Sequence, residues 1–131
     1  MKRMIINKYG GPENLVLEEC ESPIIKELSV RIEVEKVGVN FADTLVIKGR
    51  YQERPRPPFS PGLELSGTIT EIGSKVKNLK TNDRIIGIAK YGSYCNEIVM
   101  PAENVYKIPN NMDFTTAASF PVAYGTAFGA I

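Results

Sequence analysis

Histidine is absent from the 131 residues, and cysteine occurs only twice, at Cys20 and Cys95. The first absence removes Ser-His and Cys-His nucleophilic catalysis from this chain, along with any ordinary His-containing zinc site. The second excludes a disulfide framework and fits a reducing setting, so the expected location is cytoplasmic. Long apolar runs are missing too. None approaches the ~20 residues that span a bilayer, and Met1-Lys2-Arg3-Met4-Ile5-Ile6-Asn7 turns polar too soon for a signal-peptide core. Sixteen basic and 15 acidic residues leave a net charge of +1, which points to neither nucleic acid nor an anionic membrane. No G-x-G-x-x-G follows a strand, since Gly125 and Gly129 have the wrong spacing and context for a phosphate loop.

What is present reads as one β-rich domain. Met4-Ile5-Ile6 and Leu15-Val16-Leu17 flank a Gly10-Gly11-Pro12 turn, the pattern of a hairpin. Leu28, Val30, Ile32 and Val34 alternate with Ser29, Arg31, Glu33 and Glu35, which sets four apolar side chains on one face of a strand. Further strands are expected over 64–72, 84–88, 96–100 and 105–108. A short helix over 41–48 is bracketed by Asn40 as cap and Gly49 as stop. Four prolines, at 55, 57, 58 and 61, make 54–62 an extended surface loop. A last helix is expected from about Thr116, capped by Asp113 or Thr115, with Pro121 breaking or restarting it. From Val122 on, the residues are small or apolar and no basic residue closes the helix. An apolar helix face needs something to bury against, so the chain is expected to be the leading part of a longer protein.

One set of motifs is more specific. Gly38-Val39-Asn40-Phe41-Ala42-Asp43 is followed by Gly49-Arg50-Tyr51 and Pro61-Gly62-Leu63-Glu64-Leu65-Ser66-Gly67. Later come Asn82-Asp83-Arg84-Ile85, Gly92-Ser93-Tyr94, Tyr106-Lys107-Ile108-Pro109, and Ala117-Ala118 leading to Thr126-Ala127. In this order and spacing the chain resembles the medium-chain dehydrogenase/reductase superfamily, in its zinc-independent quinone oxidoreductase (zeta-crystallin-like) branch. The resemblance implies a GroES-like fold, mainly β with short helices and a partly open barrel, lacking the Rossmann domain that follows in the family. It sets residues 1–121 as the catalytic, substrate-side domain and 122–131 as the start of the helix leading to the nucleotide-binding domain. It also implies NADPH as cofactor, a quinone or enone (activated alkene) as small-molecule partner, and a possible homodimer for the full-length protein. Alternatives within reach are an enoyl-thioester or enone reductase of the same superfamily, or a non-enzymatic GroES-like binding module.

The branch rests on two positions. Zinc-dependent relatives have Cys where this chain has Asn40 and His where it has Leu63, beside an acidic residue matching Glu64. An amide and an isobutyl group cannot replace a thiolate and an imidazole as zinc ligands, so no metal site is expected. The remaining side chains suit hydride transfer to an already polarised acceptor. Asn40 and Tyr51 can each donate a hydrogen bond to a carbonyl oxygen, and Asp43 can orient either. The resemblance places Thr126, and again Asn40, near the nicotinamide end of the cofactor. Each also has a plainer role open to it. Asn40 with Asp43 has the form of a capping box. Tyr51 can be a packed loop aromatic, Thr126 can be structural, and Glu64 can serve only the turn after Pro61-Gly62. Tyr94 is expected in the core. Lys48, Arg50, Arg54 and Arg56 either solvate the proline loop or attract an anionic substrate.

Overall fold

The computed structural model describes the backbone of residues 1–129 and side chains through Ala123. In chain order its elements are β1 (Lys2–Ile6), β2 (Leu15–Glu19), β3 (Ser29–Val37), α1 (Phe41–Ile47), β4 (Glu64–Ile72), β5 (Arg84–Ile88), β6 (Glu97–Pro101), β7 (Val105–Lys107) and α2 (Phe114–Gly129). β1 and β2 form the expected antiparallel hairpin. The other five strands make one antiparallel sheet in the order β6-β3-β4-β5-β7. The outer edge of β1 meets the lead-in to β6 through an isolated bridge between Arg3 and Cys95. The result is mainly β, with two helices and an open sheet.

The centre of the sheet is β3 against β4, and two bulges shape it. Val34 pairs with Gly67 and Lys36 with Ser66, so Glu35 is an extra residue on β3; Thr70 is the extra residue on β4. One inserted residue reverses which face the next side chains meet. Val30 and Ile32 are fully buried, and Val34 packs on the same core; beyond Glu35 it is Val37 that turns inward. The main core joins Val30, Ile32, Leu65, Ile69, Ile85, Met100 and Val105. A second cluster of Ile6, Val46, Ile47 and Phe59 fixes α1 against the hairpin.

Two expectations need correction. Leu28 does not share the inward face with Val30; it lies before the strand and is 63% exposed. The backbone turns there, with Ser29 N–H bonded to the Lys26 carbonyl, so the small Ser29 is buried instead. Pro121 neither breaks nor restarts the last helix. α2 runs unbroken from Phe114, two residues before the expected start, and crosses the 121/122 position. Asp113 supplies the cap, its carboxylate accepting the Thr116 N–H at 2.6 Å. The first turn is pinned to the sheet by Ser66, whose hydroxyl donates to the Phe114 carbonyl at 2.6 Å. Arg84 stacks over the Phe114 ring. Ala117 and Ala118 are buried as α2 packs on β3, β4 and β5.

Asn82 takes a left-handed conformation, φ 72°, as expected of an asparagine in that turn. No described helix is long and apolar enough to cross a membrane.

Candidate functional site

Asn40 stands at the junction of β3 and α1 in extended backbone conformation, which makes it the N-cap of the helix. Its backbone N–H donates to Asp43 Oδ2 at 3.0 Å, and the Asn40 side chain turns to the Asp43 N–H, so the expected capping box is formed. Asp43 is buried, and the same oxygen accepts the Tyr94 hydroxyl at 2.7 Å. Its Oδ1 is buried with no hydrogen-bond partner among the described residues. Burial, and then the bond to Asp43 and its charge, push the Tyr94 hydroxyl well above the ordinary phenol range. Tyr94 therefore remains a donor. It is half-buried and belongs to this cluster rather than to the core expected for it.

The Asn40 carboxamide, besides its part in the capping box, reaches beyond the helix. The Nδ2 group donates to Glu64 Oε1 at 3.0 Å. Glu64, the first residue of β4, is only 2% exposed, and its Oε2 accepts the Val122 N–H of α2 at 2.7 Å. Val122 directly follows Pro121 within α2, and its N–H is given to this side-chain acceptor. The turn after Pro61-Gly62 is therefore not where the Glu64 carboxylate is spent. Gly38 makes the arrangement possible, because a β-carbon there would overlap the Glu64 carboxylate. One buried acid thus joins three parts of the chain: the α1 cap, the start of β4 and the middle of α2.

Tyr51 is placed differently from Asn40. It packs on the second cluster beside Ile6, Val46, Ile47 and Phe59, and its hydroxyl makes no hydrogen bond among the described residues. Thr126 falls on α2, but its side chain lies outside the described residues. Around Asn40 the surface is apolar: Val39 is 77% and Phe41 78% exposed. A groove of about 430 Å³ borders the site at Val39 and Tyr94 and runs between the hairpin and β3. Asn40, Asp43 and Glu64 are not part of its lining. Cys95 also lines it, and burial pushes its thiol up to about 11, which leaves it a poor nucleophile at neutral pH. Lys48, Arg50, Arg54 and Arg56 are exposed and form no ion pair among the described residues. Tyr9 holds the proline loop beside them by donating to the Pro55 carbonyl.

No group of three His, Cys, Asp or Glu side chains among the described residues could hold a metal ion. Phosphates are commonly held at helix N-termini, and here both such ends already carry a carboxylate, Asp43 on α1 and Asp113 on α2. The Asn40 carboxamide is uncharged and has both donor and acceptor positions.

An open antiparallel sheet with a capped helix beside it is the architecture of a GroES-like domain. The family model for the alcohol dehydrogenase GroES-like domain matches residues 26–110. A quinone oxidoreductase-like protein 2 homolog from Nematostella vectensis is 40% identical over 129 residues, 97% of this chain and 35% of that protein. The crystal structure of human synaptic vesicle membrane protein VAT-1 homolog-like protein superposes with a TM-score of 0.94 at 32% identity, covering 100% of this chain and 43% of that one. Escherichia coli quinone oxidoreductase, determined as a complex with NADPH, gives 0.86 at 30% identity, covering 90% of this chain and 36% of that one. The chain belongs to the alcohol dehydrogenase GroES-like domain family, within the zinc-independent quinone oxidoreductase branch of the medium-chain dehydrogenase/reductase superfamily. It spans about a third of the length of the curated relatives it matches.

Proposed function

We propose that this chain is the substrate-side domain of an NADPH-dependent oxidoreductase that delivers hydride, without zinc, to a quinone or an activated alkene. The observation that carries the reading is the Asn40 carboxamide, anchored from behind by buried Glu64 and flanked by exposed Val39 and Phe41. Quinones and enones are flat, largely apolar and already polarised. They need a hydrogen-bond donor at the carbonyl oxygen and an apolar surface for the ring. Asn40 keeps one N–H after its bond to Glu64, and Phe41 and Val39 supply the surface. Tyr51 is the second donor in this reading, and Asp43 supports it by fixing the start of α1.

The cofactor supplies the hydride. Its phosphates are held by a nucleotide-binding domain to which residues 122–131 lead, since the described helix N-termini are already taken by Asp43 and Asp113. The E. coli relative determined with NADPH supports the choice of cofactor, and the quinone in the relatives' names supports the acceptor. Hydride transfer by the whole protein carrying Asn40→Ala or Tyr51→Phe tests the assignment. Loss of the Asn40 donor should lower kcat/KM about 100-fold, and loss of the Tyr51 hydroxyl about tenfold. Parental kcat/KM in both variants on several quinones would refute it.

A further inference from the structure

The Asn40 carboxamide has four hydrogen-bonding positions, two N–H donors and two lone pairs on Oδ1. Which end of such an amide carries the nitrogen follows from its neighbours. Its neighbour is Glu64, and both oxygens of that carboxylate are acceptors: Oε1 for Asn40 Nδ2 at 3.0 Å, Oε2 for Val122 N–H at 2.7 Å. An acceptor-only partner forces the nitrogen of Asn40 toward β4. What faces a ligand is then the one remaining N–H, with Oδ1 beside it turned toward the α1 cap.

We infer that Glu64 is a positioning residue: its buried carboxylate fixes which way round the Asn40 amide is presented, and it ties that orientation to the placement of α2 at Val122. The inference rests on the reading that Asn40 meets the acceptor. Three features show that the contact is built for this carboxylate. Gly38 leaves room that a β-carbon would fill, Glu64 is almost wholly buried, and Pro121 precedes the one helical N–H that the second oxygen takes.

The isosteric change Glu64→Gln separates orientation from packing. Glutamine offers one oxygen and one NH2 to two donors. The Val122 N–H belongs to a helix backbone and cannot turn away, so it keeps the oxygen. The glutamine NH2 then faces Asn40, whose amide must rotate by half a turn to offer Oδ1. The group presented to the ligand changes, while the shape of the site does not.

Two measurements on the whole protein decide the matter. In a proton–nitrogen correlation spectrum of the parent, the side-chain amide of Asn40 should exchange with solvent about tenfold or more slower than that of exposed Asn110. That comparison needs no variant to fold, and equal exchange rates would overturn the inference. In Glu64→Gln the Asn40 amide pair should shift, and quinone reduction should fall about 10- to 100-fold, carried by kcat with KM within about twofold. An unmoved Asn40 amide pair, or a shifted one with parental kcat, would also overturn it. If the parent reduces no quinone at all, the functional reading fails, and the parent and variant spectra still decide whether Glu64 orients Asn40.

Discussion

Tyr94 and Cys95 are neighbours in sequence, and burial raises the proton affinity of both above its usual level. Each is an acid whose neutral form the fold favours. The native chain therefore holds more protons than the unfolded one once the pH passes the ordinary thiol value of 9.0. By linkage, the stability these groups contribute is complete below that point and is lost as the pH rises through it, first from Cys95 and then from Tyr94. Denaturant unfolding followed from about pH 7 to about pH 11 should show a flat profile that falls above about pH 9. A Cys95→Ser, Tyr94→Phe double variant should fall less steeply over the same interval, and an unchanged slope would rule out this origin. At this level the sequence was legible where a residue acts on near neighbours. Asn40 as a cap, Asp43 at the third helical position and Asn82 as a left-handed turn all follow from local chemistry, and all are found. Glu64 was not legible, because the N–H it accepts lies 58 residues further on and is offered by the turn at Pro121. Tyr94 was misplaced for the same reason, its partner Asp43 being 51 residues away.

Among the elements, β4 carries the most. It pairs with β3 and β5, supports α2, and places Glu64 at its first position. Ile69 is fully buried in its inward face, just before the Thr70 bulge. Ile69→Ala should cost about 2–5 kcal/mol from lost burial and the residual cavity, read as a lower urea midpoint with an unchanged slope. A loss well under 1 kcal/mol would mean that the core is not organised around this strand. Both limits of β4 and of β5 could be read in advance, since apolar runs bounded by turn residues mark them. The bulges could not. Strict alternation assigns Glu35 and Val37 to one face, whereas the inserted residue at 35 separates them. α2 departed furthest from expectation. A proline inside a helix costs about 3 kcal/mol or more when nothing offsets it. Here the burial of Ala117 and Ala118 and the Val122 bond to Glu64 are long-range offsets that no local pattern reveals.

Taken whole, the described residues offer an apolar-rimmed amide, and the N-termini of both α-helices already carry a carboxylate. The 131-residue chain by itself should therefore bind NADPH no tighter than the millimolar range, and a fluorescence titration reaching saturation at micromolar cofactor would contradict the division of labour proposed for it. Near-neutral net charge supplies no long-range attraction for an anionic ligand, so acceptor capture rests on contact at the site. The most direct measurement is a titration of the isotope-labelled whole protein with a quinone in the presence of oxidised cofactor, so that binding proceeds without turnover. Shifts should centre on the Asn40 side-chain amide and on the backbone of Val39 and Phe41, with the segment from Lys48 to Arg56 affected only at Tyr51. Shifts centred on the basic proline loop, or an Asn40 amide that does not respond at saturating quinone, would contradict the proposed site.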